Sequence, residues 1–439
     1  MKLWLIMTLA FAVSTTAALA VATEEPDLDP LLQLLVEQGV ITEEQARGVQ
    51  AEYDRRASEV DRASAGDGSE RAEPTAPPAP PPADPTAAAP EKGKWHDRIE
   101  LKGDLRLRYE GFWVDGISDN DHRSRFRLRV RPGIYSDVTE WMRVGFQLRS
   151  GDPDDPVSDN QSVDGGFSMK AVAISEAFAA FTPTPWLGVH AGKFDPKRLW
   201  TVSDMQWDDD VTVEGLLEEL DLGNVEASLY QYFLEERSGG GDSVLYGGQV
   251  RGVVDLGSRH QVTVGAGYDE WVNPQYVADL TLSGNLKGNR VTNILDDDLQ
   301  LVSDFQIGSL FAEWSFELSE RWPVKLSAFG YHNFGAGELG GRSYDDAYFV
   351  RFQVGDYSKP GRIALRASRY YSQPDALFYV FTQSDTTMAS DVDGYRFDLR
   401  LGFVMKSYFN VTWYHTDPAS DLVDVATMDR LQVDYIIRF

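Results

Sequence analysis

The stretch "RSRFRLRVR", Arg123 to Arg131, places an arginine at every second position, with Phe126, Leu128 and Val130 on most of the steps between. Guanidinium groups are permanently charged, fork-shaped donors, so a row of them can hold or steer anions. A nucleic-acid patch would not need apolar partners in strict period two, and a soluble core would not accept the arginines, so no nucleic-acid partner is expected. The same alternation carries Arg106 and Arg108, Arg143 and Arg149, and then Arg351, Arg366, Arg396 and Arg400. Acidic groups concentrate between such stretches: Asp152, Asp154 and Asp155; Asp296 to Asp298; Asp385, Asp391 and Asp393. The segment "DPKRLWTVSDMQWDDD" adds Asp204, Asp208, Asp209 and Asp210 beside Trp200 and Trp207. Opposed rows of cations and carboxylates set up a transverse field, which acts on passing ions.

Other patterns lack the surroundings their chemistry requires. "GAGELG" (Gly335 to Gly340) has GxGxxG spacing, but "SYDDAYFVRF" after it reads as a strand and offers no helix N-terminus to a pyrophosphate. It reads as an external loop. "GDSV" (241–244) has a serine with no histidine at a predictable spacing. Histidines 96, 122, 190, 260, 332 and 415 show no metal-ligand spacing. The tracts "DPDD" and "DDD" lack the glycine and spaced oxygens of an EF-hand loop. They read as solvated loop tips or as contacts for divalent ions bridging lipopolysaccharide, with a structural calcium left open. No catalytic residue, metal site or cofactor is expected, and the chain does not read as an enzyme.

Composition sets the compartment. The chain has 439 residues, a net charge of −28 and no cysteine, with a pI near 4.5 and a mean hydropathy of −0.34. Its start, "MKLWLIMTLAFAVSTTAALAVATEE", joins one lysine to an apolar run and then small residues, the pattern of a secretory signal with cleavage after Ala20 or Ala22. That run is too short to span a bilayer, and no later run is long enough for a membrane helix. The low hydropathy also suits a transmembrane β-barrel, whose strands alternate lipid-facing and lumen-facing residues.

Four regions follow. Residues 1–22 read as the signal, 23–60 as a short helical hairpin, 61–94 as a Pro/Ala-rich linker and 95–439 as the barrel. In the hairpin, Asp29 with Pro30 starts one helix, Gly39 ends it, and Thr42 with Gln45 forms a capping box for the next. Leu31, Leu34, Leu35 and Val40 form an apolar side too small to hold a core alone. The hairpin therefore pairs with itself, as a coiled coil would, or docks elsewhere; it is a candidate oligomerisation segment. The linker's prolines favour extended polyproline II.

From Trp95 onward the pattern has period two. "IELKGDLRLRYE" puts Ile99, Leu101, Leu105, Leu107 and Tyr109 on one face and Glu100, Lys102, Asp104, Arg106, Arg108 and Glu110 on the other. The pattern is least clear in 170–181 and 272–302. Long and short connections alternate, and counting runs gives about sixteen strands, as an up-and-down antiparallel barrel requires. Trp141, Trp186 and Trp322 each follow a short turn, which places them at one height as an interfacial girdle. Phe126, Leu128 and Val130 then face lipid, and Arg125, Arg127, Arg129 and Arg131 face a water-filled lumen. First and last strands are neighbours in a closed barrel, so the arginines gather into one basic wall at the seam, with the acids elsewhere.

The hairpin "LLVEQGVITEEQA", the Pro/Ala linker, the first strand "IELKGDLRLRYEG", then "RSRFRLRVRPG" and "AISEAFAAF…LGVHAGKFDP" resemble the putative-porin family of bacterial outer-membrane proteins over nearly the whole chain. The last strand, with Tyr435, Ile437 and terminal Phe439, looks like the assembly signal of such barrels. The resemblance implies an outer-membrane channel with the N-terminal segment in the periplasm. It also implies lipid, lipopolysaccharide and the barrel-assembly machinery as partners, with a homotrimer in keeping. General porins, a wider comparison, carry a row of arginines facing an acidic loop that folds inward after the fifth strand. That makes Asp204, Asp208, Asp209, Asp210, Trp200 and Trp207 the candidate constriction. The expected function is passive diffusion of small hydrophilic solutes or ions. The alternatives are a plugged anchor tethering the membrane to periplasmic partners and, less favoured, an outer-membrane lipid hydrolase.

Overall fold

A strand with one polar and one apolar face cannot leave its backbone unpaired in lipid, and closing the sheet on itself pairs every edge. The computed structural model describes Thr42, Arg47 and residues 98–115, 122–198, 201–281, 289–292, 300–338, 340–386, 390–422 and 427–439. The chain divides into two compact units, Met1–Ala89 and Pro90–Phe439. All the strands described lie in the second unit. The signal, hairpin and linker expected over 1–94 lie outside the described residues, apart from Thr42 and a helical Arg47.

The strands run β1 (Ile99–Val114), β2 (Arg123–Thr139), β3 (Met142–Ser150), β4 (Gln161–Ser162), β5 (Val172–Thr184), β6 (Leu187–Phe194) and β7 (Val213–Asp221). They continue with β8 (Val225–Glu235), β9 (Ser243–Asp255), β10 (His260–Val272), β11 (Val291–Thr292), β12 (Gln300–Leu301) and β13 (Phe305–Glu317). The remainder are β14 (Pro323–Asn333), β15 (Asp346–Gly355), β16 (Ile363–Ser372), β17 (Val392–Gly402), β18 (Ser407–Asp417) and β19 (Met428–Arg438). Seventeen of them form one antiparallel sheet, and β19 pairs back onto β1 from Asp104↔Arg438 to Val114↔Met428. The two-residue β4 only edges β2, so sixteen long strands close the barrel. Beyond Val272, the end of β10, the described residues of the ambiguous stretch 272–302 supply no barrel strand. It holds helix α1 (Pro274–Thr281) and the small β11–β12 pair.

The wall is polar inside and apolar outside along the seam. On β1, Leu101 and Leu107 are 69% and 50% exposed, while Arg106, Arg108 and Glu110 are buried. Phe126 is 63% exposed and Arg129 buried on β2. Trp141, Trp186 and Trp322 are all exposed at short-turn ends of strands. Among the described residues no helix is long and apolar enough to cross a membrane.

The inner face is not uniform. A lumen lined by polar residues throughout does not form. From β6 to β16 the interior packs an aromatic and aliphatic core that includes Phe194, Tyr232, Trp271, Phe305, Phe349 and Tyr370. Phe349 and Phe352 on β15 show why: Phe349 is buried inside and Phe352 exposed outside, so that strand carries apolar side chains on both faces, beside the inward Arg351. Period two gives the faces but not what fills the space behind them.

Closure depends on a missing side chain. Gly103 and Phe439 exchange backbone hydrogen bonds of 3.1 Å in each direction. A Cβ at Gly103 would stand 2.4 Å from the Arg131 carbonyl oxygen and 2.7 Å from the Phe439 ring. Gly103→Ala is expected to loosen the seam, and Phe439→Ala to slow assembly by removing the ring seated there. The check is gel migration of unheated against boiled samples. Barrels of either variant that stay folded to the wild-type temperature would contradict this.

Candidate functional site

Three strands meeting at the seam bring opposite charges onto one inner face. Glu110 of β1 is fully buried and lies 2.6 Å from Arg125 and 2.8 Å from Arg430, with Arg108 and Arg127 each at 3.8 Å. Arg108 also donates to both carboxylate oxygens of Asp434, at 2.6 and 3.0 Å. Asp104 takes Arg129 at 2.9 Å and Arg131 at 2.6 Å. On β17, Arg396 holds Asp398 through two hydrogen bonds of 3.0 and 2.9 Å. The expectation of a basic wall with its acids elsewhere is therefore corrected. Asp104, Glu110, Asp398 and Asp434 sit within the wall, because the same alternation that turns arginines inward turns these carboxylates inward too.

The loop after the fifth barrel strand, residues 195–212, runs into the barrel. Thr201 exchanges hydrogen bonds with the Gln249 side chain, and Ser203 Oγ is 2.7 Å from the Tyr331 hydroxyl. Asp204 meets Arg351 and Arg396, and Asp210 lies 3.0 Å from Arg129, 3.5 Å from Arg131 and 3.9 Å from Arg106. Burial opposes ionisation of both, yet the guanidiniums around each hold these carboxyls well below the usual carboxylate range. Asp208 differs. Among the described residues it has no arginine within salt-bridge distance, and it accepts hydrogen bonds from the Ser384 N–H and hydroxyl at 3.0 Å each. Burial, with the carboxylates of Asp210 and Asp385 nearby, pushes its carboxyl well above the usual range. Asp209 is exposed, and Trp200 lies outside the described residues. Trp207 is buried and stacks against Trp271 and Phe381, whose rings also meet each other.

A second loop, residues 373–391, also enters, which sequence reasoning missed. Leu377, Phe378, Tyr379 and Val380 are buried in the core, and Asp385 reaches the seam at 2.7 Å from Arg430 and 3.9 Å from Arg108. The apolar run "ALFYVF" inside a long loop was the available signal. The 151–171 loop contributes Asp159, 3.0 Å from Arg149 and 3.3 Å from Arg131.

Between the loops and the seam lies a cavity of about 710 Å³, lined by residues that include Lys102, Arg106, Arg129, Arg366, Arg400 and Arg438. Arg143 pairs with Glu100 and Asp137 at the short-turn end, at 2.7 Å each. Arg430 and Arg438 were missed, although "RLQVDYIIRF" places both on the inner face by the rule applied to the first two strands. Tyr435 packs its ring against Phe409 on the outer face, and Phe439 is half-exposed.

The other motifs keep structural roles. The described part of "GAGELG" is loop, and Arg290 donates to the Gly337 carbonyl. Ser243 of "GDSV" donates to the Val272 carbonyl at 3.3 Å. The "DPDD" acids cap their own turn, with Asp152 accepting from the Asp154 N–H. The structure does bring His332, Asp345 and Asp346 together, partly exposed, across the outer ends of β14 and β15. Asp391 accepts from Ser420, Asp393 pairs with Arg369, and Asp296 to Asp298 lie outside the described residues.

Two carboxyls give opposite expectations. Glu110→Gln leaves four arginines around a neutral amide and should cost about 3 kcal/mol, as breaking a buried pair does. Asp208→Asn removes a carboxyl whose ionisation burial already disfavours and should cost under about 1 kcal/mol. Because the folded state raises the Asp208 pKa, its stabilisation is complete below the unfolded value and fades as pH rises toward the folded one. Wild-type stability should therefore fall more steeply with rising pH than that of Asp208→Asn. Urea unfolding across pH reads both effects, and equal costs for the two variants at neutral pH would contradict them.

Residues 117–275 match a protein-family model described as a putative porin. No curated protein matches the chain. Among solved structures, the high-pH structure of Pseudomonas putida OprB is 11% identical, with a TM-score of 0.51 over 78% of this chain and 94% of that one. Salmonella typhi OmpF in complex with daunomycin is 11% identical, with a TM-score of 0.47 over 78% and 97%. A triple mutant of Rhodopseudomonas blastica porin is 12% identical, with a TM-score of 0.41 over 77% and 100%. At these identities the OprB likeness concerns the fold alone. "RSRFRLRVRPG" and "AISEAFAAF" both fall inside the matched residues, so the chain resembles the putative-porin family there and has a porin-like fold.

Proposed function

We propose that the chain is an outer-membrane porin, passing small hydrophilic solutes or ions by passive diffusion along the arginine-bearing seam. The observation that carries this reading is the polar cavity of about 710 Å³ inside a closed barrel. The inward loop with Asp204 and Asp210 serves as the constriction, and the arginines at 106, 108, 125, 127, 129, 131, 149, 351, 366, 396 and 400 form its basic side, with Arg143 at the rim. Nothing in this reading requires catalysis.

Residues 23–94 lie in the periplasm, since an even strand number returns both barrel ends to one side. Lipid, lipopolysaccharide and the assembly machinery are the surroundings, with Tyr435, Ile437 and Phe439 as the assembly signal. A homotrimer is supported by Glu218, whose neighbour Leu217 is buried in the core and whose pairing partner Leu229 is 49% exposed. That alternation turns a carboxylate toward lipid beside Val189, which a subunit contact would shield. The plugged-anchor reading draws on the two loops that fill much of the interior.

Planar-bilayer recording separates the two readings. Steady conductance with mild anion preference at low salt is expected, shrinking as the screening length falls to about 10 Å near 0.1 M. Replacing Arg125, Arg127 and Arg129 by glutamine should lower that preference, and replacing Asp208, Asp209 and Asp210 by asparagine should raise it. An unchanged reversal potential in the aspartate set would remove the constriction. Protease on the periplasmic side should release the N-terminal segment with conductance intact; its loss would make that segment a plug.

A further inference from the structure

Most inner-face arginines of the seam are neutralised by carboxylates, but Arg366, Arg400 and Arg438 are not. Among the described residues, none of the three has a carboxylate within salt-bridge distance. Their partners are neutral. Arg366 donates to Gln353 Oε1 at 3.2 and 3.3 Å, and Arg400 donates to Asn410 Oδ1 and the Tyr357 hydroxyl at 3.2 Å each. Arg438 donates to the Tyr408 hydroxyl at 3.3 Å. Asp398, which pairs in register with Arg366 across β16 and β17, already accepts from Arg396 at both carboxylate oxygens and from the Thr412 hydroxyl at 2.9 Å.

All three arginines line the same cavity, with Tyr357 and Tyr408 between them. The tyrosine rings lie 4.7 Å apart, with the Arg400 guanidinium 5.1 Å from one and the Arg438 guanidinium 5.2 Å from the other. Tyr357 sits in the short turn after β15 and Arg438 at the last position of β19. The group therefore occupies the short-turn end of the cavity, below the level at which Asp204 meets Arg351 and Arg396. Like charges gathered without a counter-charge repel, and forked donors without a carboxylate have open valence for one.

We propose that Arg366, Arg400 and Arg438, steadied by Tyr357 and Tyr408, form a binding subsite for a small oxyanion, a carboxylate in the first instance, at the short-turn mouth of the cavity. The subsite deepens the diffusion-pore reading and rests on it for its role in transport, though not for binding itself. An anion held there would leave the cavity from a defined place, and the neutral partners keep it weakly enough held to leave.

The test uses the full-length protein with two probes, sodium benzoate and inorganic phosphate. In planar bilayers, benzoate added on the short-turn side should reduce single-channel current at lower concentration than from the loop side. Arg366→Gln with Arg400→Gln should raise the half-blocking concentration by about tenfold, and Arg366→Lys with Arg400→Lys should largely restore it. Phosphate blocking equally well assigns the subsite to oxyanions in general, and benzoate alone assigns it to carboxylates. Calorimetric titration of benzoate into the detergent-solubilised barrel reads binding without conduction. Absence of channels with binding intact would sink the pore reading and leave the subsite standing. Absence of benzoate and phosphate binding, or binding unchanged in the glutamine variant with wild-type heat-modified migration, would overturn the subsite.

Discussion

Arginines turned into a barrel interior must find either water or carboxylates, and here most find carboxylates. That requirement organises the molecule. Glu110, Asp104, Asp398 and Asp434 meet part of the demand from the wall itself. The remainder comes from loops, with Asp210 crossing to Arg129, Asp204 to Arg351 and Arg396, and Asp385 to Arg430. Removing one partner of such a pair leaves an uncompensated charge in a partly dry interior, which is costlier than never having buried the pair. The loops are therefore held in the barrel by the charges they neutralise.

Apolar packing reinforces the same loops from the opposite side. Trp207 stacks on Trp271 and Phe381, and Phe381 itself belongs to the second inward loop. Each loop thus carries an aromatic end toward the β9–β14 wall and an acidic end toward the seam. Asp208 joins them directly through the Ser384 N–H and hydroxyl. The outcome is a barrel divided inside, dry and aromatic along one wall, polar and open along the other.

The strand pattern was legible because period two is imposed locally. Leu107 and Arg108 differ in exposure simply because successive side chains point to opposite faces. The strand number and the seam pairing of β1 with β19 followed from that alternation and the spacing of turns, whereas the inward course of the 195–212 loop came from the wider likeness to general porins. What stayed hidden depends on contacts distant in sequence. Nothing near Asp385 announces Arg430 or Arg108, and nothing near "ALFYVF" says whether those residues meet solvent or Trp271. Arg430, Arg438 and Asp398 were overlooked for a different reason: the alternation was followed for arginines as far as β17 and for the outward row of β19, but not for the inward residues of β19 or for the acid between Arg396 and Arg400.

Charge pairing also explains why an arginine-rich wall need not be strongly basic. Arg125, Arg108 and Arg430 converge on one glutamate, and each of Asp104 and Asp210 serves more than one guanidinium. Sharing one carboxylate among several arginines leaves a residual positive charge, spread along the wall and partly cancelled at every point. Only toward the short-turn end, where Arg366, Arg400 and Arg438 have amides and phenols for company, does that residue become local. The field along the cavity is therefore uneven, nearly balanced where the loops cross and positive beneath them.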